Sequence, residues 1–430
     1  MATPGSDLDG NVRATPAPTH RRMVFVAPFA AEHGGLEQYL VDLVALADAD
    51  GWSVTVVAPR DVAESSWLRR SLPRGVRWVA ADVATRSMPV KAMLAVLSGA
   101  GRARTRIRGG SYGDPMNGRV GRFLIEQWFW RTRGRTLLAD ADLVHLLGKP
   151  KPFIQNAITN GAALGKTMVY TEVAQVTPAY SRRPDLAGFS HVGSGLAAVT
   201  VYYEEQGRDI RELFAYDGRI EVIEQWIDAA VEVALLALTP PAPTIGRRPV
   251  VFGSLSRLSP EKGLPWLVDG FAALQRRTDL DVRLVIGGTG EEEAAIRSKI
   301  ASHGVESTVT MAGYVEDKVE FLDGVDVFVV SSEAEGGPIS GLEAVAGGRL
   351  VISTPVGAMP DRLTGSEDGA LVTYGATDEL AATMNLMAER MLSDGPAGDL
   401  RARYRAEHAQ SILQEHMTRL WDELGAVNPG

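Results

Sequence analysis

The chain contains no cysteine in its 430 residues. Disulfide staples, thiolate metal sites and a cysteine nucleophile are thereby excluded, and the composition suits a reducing compartment such as the cytoplasm. Long apolar runs are missing as well. None approaches the roughly 20 residues that span a bilayer, and the N-terminus lacks the apolar core of a secretory signal. Net positive charge is absent too, the formal value being -9 at pH 7. Nucleic acid is therefore not an expected partner, because a duplex binder needs a basic face to displace counterions from phosphates. No G-x-G-x-x-G follows the first strand of either half, which argues against a dinucleotide-dependent dehydrogenase. Asp140–Ala141–Asp142 precedes its strand instead of following it, the wrong edge for a metal-binding carboxylate pair.

What remains is ordinary globular material, 45% hydrophobic and 23% charged. The length exceeds the usual size of a single core and predicts two domains. Residues 1–20, rich in Pro, Gly, Thr and Ala, read as a disordered leader. From Arg21 the chain alternates short β-branched runs with amphipathic stretches: MVFVAP, a helix over Leu36–Ala49, SVTVVAP, then DLVHLLG, KTMVYT, AAVTVY and IEVIEQ. The alternation stalls in a Pro-rich linker over 235–249 and resumes with PVVFGSLS, VRLVIGG, VTMAGYV, VDVFVVSS and LVISTP. This predicts an α/β protein of two Rossmann-like, doubly wound parallel sheets, 21–234 and 250–404, facing a central cleft. Residues 405–430 are expected as a terminal helix returning to the first domain.

Three segments carry candidate chemistry. After VDVFVV comes SSEAEGGPISGLEAVAGG, in which Gly337 reads as a helix cap, Pro338 as the first helical residue and Glu343 as a second-turn residue, with Glu335 in the loop before. A helix N-terminus attracts a diphosphate, and carboxylates beside it suit sugar or ribose hydroxyls. Alone, the pair fits equally a carboxylate stabilising the helix dipole and another on a solvated face. The second segment is GSLSRLSPEKG, with Arg257 and Lys262; the third is HGG, His33–Gly35, after the first strand, whose glycines permit close backbone approach to a ligand.

Glu335 and Glu343 form an E-x7-E pair that resembles the signature of the family 4 retaining glycosyltransferases, which have the GT-B fold. The loop from Gly253 to Gly263 is similar to that family's G-R-L-x-P-E-K-G, with Ser256 where glycine is commoner. The resemblance implies transfer of a hexose-type sugar from a nucleotide diphosphate donor, UDP- or GDP-linked, to a hydroxyl acceptor with retention and without a metal. It implies that Arg257 and Lys262 hold the diphosphate together with Gly336, Gly337, Pro338, Ile339 and Ser340. Glu343 would bind the ribose and Glu335 the sugar; Gly34 and Gly35 would approach from the first domain, and Tyr314 and Val315 would read the base. The sequence departs from the family in two places. TEVAQV stands where a histidine usually holds the sugar, so Glu172 is a candidate substitute, and EQWID replaces the usual P-N-G-I-D.

The acceptor, a glycan, a lipid-linked sugar or a small metabolite, is expected on the first domain. Gly101–Arg135 there carries nine arginines around Trp128, Phe129 and Trp130, a pattern for peripheral contact with the inner membrane face or for an anionic acceptor; a solvated basic helix with its aromatics in the core fits equally. A GT-B sugar-nucleotide epimerase and a non-catalytic sugar-nucleotide-binding subunit are the alternatives.

Overall fold

Met23 to Ala27 is a run without a polar residue, as suits a strand covered on both faces. In the computed structural model, which describes residues 21–28, 35–84, 119–243 and 248–426, this run supplies β1 (Arg22–Val26), central in a fully parallel sheet. Its neighbours are β2 (Ser53–Ala58), β3 (Arg77–Ala80), β4 (Leu143–Leu147), β5 (Met168–Thr171), β6 (Ala198–Val201) and β7 (Ile220–Val222), in the order β3-β2-β1-β4-β5-β6-β7. A second parallel sheet contains β8 (Val250–Leu255), β9 (Val282–Gly287), β10 (Val309–Gly313), β11 (Val327–Val330), β12 (Leu350–Ser353) and β13 (Gly369–Leu371), in the order β10-β9-β8-β11-β12-β13. Each sheet reverses direction of growth beside its first strand, between β1 and β4 and between β8 and β11. Loops diverge there and leave a crevice outside the strand carboxyl ends.

Two strands were not legible in the sequence. β3 begins on exposed Arg77 and β13 spans only Gly369–Leu371, so the apolar run in each strand is three residues long. The linker also starts later than expected: Asp228 caps the helix Ala229–Ala237, its Oδ1 accepting from the N–H groups of Ala230 and Val231 at 3.0 and 3.2 Å. The helix thus runs past Leu235, and Pro240, Pro241 and Pro243 follow it.

Beyond Arg403 the chain passes through a π-helical turn, Tyr404–His408, and ends its described part in the helix Gln410–Ala426 on the first domain. Leu413, Met417, Leu420, Trp421 and Leu424 enter the core formed by β1, β2 and the helix Gly35–Ala49. Trp421 stands edge-on to Phe25, and its Nε1 donates to His145 Nδ1 at 3.2 Å. The other ring nitrogen of His145 lies 2.7 Å from Thr171 Oγ1, and Thr171 is bonded to Thr200. A buried polar chain therefore ties β4, β5, β6 and the last helix together. Burial brings His145 down to about 3, so it remains neutral there. Trp421→Ala removes both the packing and the donor, and should cost about 3–5 kcal/mol in urea unfolding. A loss below ~1 kcal/mol would show the helix to be an accessory.

Candidate functional site

The loop after β8 and the loop after β11 meet at the carboxyl edge of the second sheet. Pro260–Lys262 forms a single 3₁₀ turn that ends on Gly263 at φ 62°. A Cβ on Gly263 would lie 2.3 Å from the Ser331 carbonyl oxygen, so this close approach of the two loops requires glycine. Ser331 Oγ donates to the Lys262 carbonyl at 2.8 Å, and the Glu333 N–H donates to the Glu261 carbonyl at 2.8 Å. The turn Gly288–Gly290 is bound in as well: Leu258 N–H donates to Thr289 at 3.0 Å, and Glu292 N–H to Leu258 at 2.9 Å.

This scaffold brings together Lys262 and Glu335. Lys262 Nζ donates to Glu335 Oε1 at 2.5 Å, Ser332 Oγ to Oε2 at 2.8 Å, and both charged side chains are largely buried. The helix Ile339–Ala346 follows at once, with no side chain capping its start. Gly341 and Leu342 N–H groups turn back to the Pro338 carbonyl, which leaves those of Ile339 and Ser340 without an acceptor in the helix. Two details differ from expectation. Pro338, with ψ 88° outside the helical range, is the cap and Ile339 the first helical residue; and Pro338, lacking an N–H, can donate nothing to a ligand. Glu343 is buried beneath this N-terminus and bonded to Lys318 Nζ at 2.8 Å.

Other expected residues lie apart from this pair. Arg257 extends into solvent, 75% exposed, and bonds Glu261 at 3.2 Å, so it does not join Lys262. Tyr314 is exposed beyond the end of β10, while Val315 folds back over Gly287. Gly35 opens the first helix, its carbonyl accepting from Gln225 Nε2 at 3.2 Å. His33 and Gly34 fall outside the described residues, as do 101–118 of the Arg-rich stretch. In the rest of that stretch Phe129 and Trp130 are core residues, which leaves Trp128 and Arg131, Arg133 and Arg135 on the surface.

Glu172 requires a correction. It is 1% exposed, with Tyr170 donating to Oε2 at 2.8 Å, Tyr180 within 3.1 Å of both oxygens, and Ala174 N–H donating to Oε1 at 2.9 Å. The carboxyl is committed to fixing its own loop and cannot stand in for the family's histidine. What that loop delivers was missed in the sequence: Gln175 Oε1 accepts from the Glu335 N–H at 3.3 Å across the cleft. Beside it the domains touch so closely that a Cβ on Gly336 would lie 2.1 Å from the Val173 carbonyl oxygen. Its only sequence signal is position, three residues beyond Glu172 at the end of β5.

A second cross-domain contact was also unread. Arg362 donates to Glu224 Oε2 at 2.6 Å and His408 Nδ1 lies 3.3 Å from the same oxygen. Burial alone would raise this carboxyl, but Arg362 and His408 outweigh it and bring Glu224 down to about 2. Glu224 belongs to EQWID, so that departure from the family pattern has a structural partner in the opposite domain.

Residues 249–390 match the family model described as "Glycosyl transferases group 1". The whole architecture also has counterparts among solved structures. Anabaena Alr3699/HepE in complex with UDP superposes with a TM-score of 0.68, covering 94% of this chain and 100% of that one at 17% identity. TarM gives a TM-score of 0.70 at 13% identity, covering 95% and 99% of the two chains. The fold is GT-B. Among curated relatives, mannosylfructose-phosphate synthase of Agrobacterium fabrum is 33% identical over 115 residues, 25% of each chain. The amylovoran biosynthesis glycosyltransferase AmsK of Erwinia amylovora is 26% identical over 191 residues, 41% of this chain and 46% of that one. The chain thus spans a quarter to about half the length of these relatives.

Burial pushes Glu172 up to about 7, against the pull of its amide and tyrosine donors. The folded state holds this proton more tightly than the unfolded chain, whose carboxyl titrates near ~4.3. Its stabilisation is therefore complete below ~4.3 and is lost as the pH rises through about 7. Glu172→Gln should gain on the wild type in urea midpoint between pH 5 and 8. Parallel pH profiles for the two proteins would contradict this.

Proposed function

We propose that the protein is a glycosyltransferase that moves a hexose-type sugar from a nucleotide diphosphate donor, UDP- or GDP-linked, to a hydroxyl acceptor, with retention and without a metal. The observation that carries this reading is the Lys262–Glu335 pair, set at the uncapped start of the helix Ile339–Ala346 on a GT-B strand edge. The match of residues 249–390 to the group 1 family model supports it, as does the UDP bound by Anabaena Alr3699/HepE. The first domain would then present the acceptor, with Trp128 and Arg131, Arg133 and Arg135 available to an anionic acceptor or membrane surface.

The chemistry follows from the charges. As the glycosidic bond breaks, negative charge grows on the leaving diphosphate; the Lys262 ammonium and the N–H groups of Ile339 and Ser340 are fixed donors for that charge. Glu335 cannot bind phosphate, but its carboxylate accepts from sugar hydroxyls and holds the ring against the cleft. The leaving phosphate takes the acceptor proton, so no side chain need act as base. The Val173–Gln175 loop closes over Glu335 and Gly336 and excludes water that would otherwise hydrolyse the donor.

Lys262→Ala should lower kcat with the preferred donor at least ~100-fold, the loss expected when a charge-stabilising donor is removed, while turnover persists in EDTA. The substrate is found by a thermal-shift screen of UDP-, GDP-, ADP- and dTDP-sugars followed by product analysis. An unchanged rate in Lys262→Ala, or abolition by EDTA, would contradict the proposed chemistry. Donor isomerisation without an acceptor would make the protein an epimerase, and binding without turnover a sugar-nucleotide-binding subunit.

A further inference from the structure

The roles above leave Lys318 unused. It opens the helix Lys318–Asp323, whose first turn is fixed by Asp317 Oδ1 accepting from the Val319 and Glu320 N–H groups at 2.9 and 3.0 Å. From there its ammonium reaches Glu343 Oε1 at 2.8 Å. Glu343 is 2% exposed, and its second oxygen, Oε2, is buried with no hydrogen-bond partner among the described residues. One oxygen of this carboxylate is therefore committed and the other is open. A buried acceptor without a donor carries a desolvation penalty, and such groups are rare unless something outside the chain satisfies them.

The surrounding groups do not offer that donor. Tyr404, on the π-helical turn behind Glu343, gives its hydroxyl to Glu232 of the helix Ala229–Ala237. Arg362, which also faces Tyr404, is bonded to Glu224. From the first domain Asp42, whose carboxyl also feels the charge of Asp228, brings negative charge toward Lys318. Among the described residues Lys318 is the cation bonded to Glu343, and its charge also acts on Asp42 of the opposite domain.

We propose that Lys318 is a positioning residue: it holds Glu343 ionised and turned so that Oε2 stands as a charged acceptor for a ribose hydroxyl of the bound nucleotide. This rests on the donor-site reading above. Burial raises the Glu343 carboxyl above the usual carboxylate range, and Lys318 limits that rise without cancelling it. Without Lys318 the carboxyl takes up a proton, and a hydroxyl then meets a neutral acceptor, a weaker partner than a carboxylate. Lys318 is itself 44% exposed, so truncating it to an apolar chain of similar length leaves little void.

The test is the affinity of UDP and of GDP, measured by calorimetry from pH 5.5 to 8.5 for the wild type, Lys318→Met, Lys318→Arg and the double variant Lys318→Met/Glu343→Gln. Taking the ratio of variant to wild type cancels titration of the nucleotide's own phosphate. Lys318→Met should bind about tenfold more weakly at pH 6, the difference between a charged and a neutral hydrogen-bond partner. The gap should narrow several-fold by pH 8.5, and Lys318→Arg should restore wild-type behaviour. The double variant strands no buried charge and so does not depend on Lys318→Met being stable; it should stay weak at every pH. A deficit in Lys318→Met that is constant with pH would overturn the proposal and make Lys318 a direct contact. Wild-type affinity in the double variant at pH 8 would overturn it as well. If the wild type binds neither nucleotide, the donor-site reading itself fails, a different result from binding with a flat ratio.

Discussion

Burying a carboxylate is unfavourable unless its charge or its proton is accounted for, and the cleft region of this protein does so with Glu172, Glu224, Glu335 and Glu343. Each is compensated differently. Glu172 receives neutral donors, two tyrosines and an amide, and keeps a high proton affinity. Glu224 receives Arg362 and His408 and gives up its proton readily. Glu335 is held by Lys262 and Ser332, and Glu343 by Lys318 on one oxygen alone. The first two are closed sets, spent on contacts within the fold. The other two stand at the helix Ile339–Ala346, Glu335 in the loop before it and Glu343 within it, and Glu343 Oε2 has no partner among the described residues.

That division explains how the domains are held. The closed sets lie where the chain must be fixed: Glu172 sets the loop that lays Val173 on Gly336, and Glu224 bridges to Arg362 where the linker and the return of the C-terminal segment run side by side. A buried pair of this sort need not add net stability compared with apolar packing, but removing either member leaves an uncompensated charge. It therefore acts as a geometric constraint where the two sheets are joined, while among the described residues the strand-end loops meet at Gly336 and Gly337 and through the Gln175–Glu335 hydrogen bond. Few bonds at the loops and strong bonds at the pivot is the distribution a cleft needs if it is to open and close.

Most of the strands and the division into two sheets were legible because their signals are local: period-2 and period-3.6 patterns with glycine and proline punctuation. Lys262 and Glu335 were each expected at the donor site, on the diphosphate and on the sugar, and in the structure their side chains are bonded to each other. What failed was non-local or depended on burial. Arg257 and Lys262 are five residues apart in one motif, yet only Lys262 turns inward, because Gly263 and Ser331 fix its carbonyl while Arg257 finds Glu261 in solvent. Nothing near Glu172 in sequence says that Tyr170 and Tyr180 will enclose it, and Glu224 finds Arg362 at a separation of 138 residues. β3 and β13 were invisible because the sheet supplies their order, not their own composition.

The departure at TEVAQV is best understood through the same contrast between closed and open sets. A histidine after β5 would bring a side chain that can donate to a sugar; here that position is a carboxyl sealed among tyrosines, and the loop instead offers backbone and the Gln175 carboxamide. On the proposed reading, recognition from the first domain then rests on a neutral amide, which can donate and accept in either rotamer, with Glu335 and Lys262 providing the fixed charges. Such a partition puts the charge needed for diphosphate departure entirely in the second domain, the part of the chain that matches the group 1 model, and leaves the first domain free to vary with the acceptor. The stretch that matches the family model, residues 249–390, is also the stretch that holds both Lys262 and Glu335.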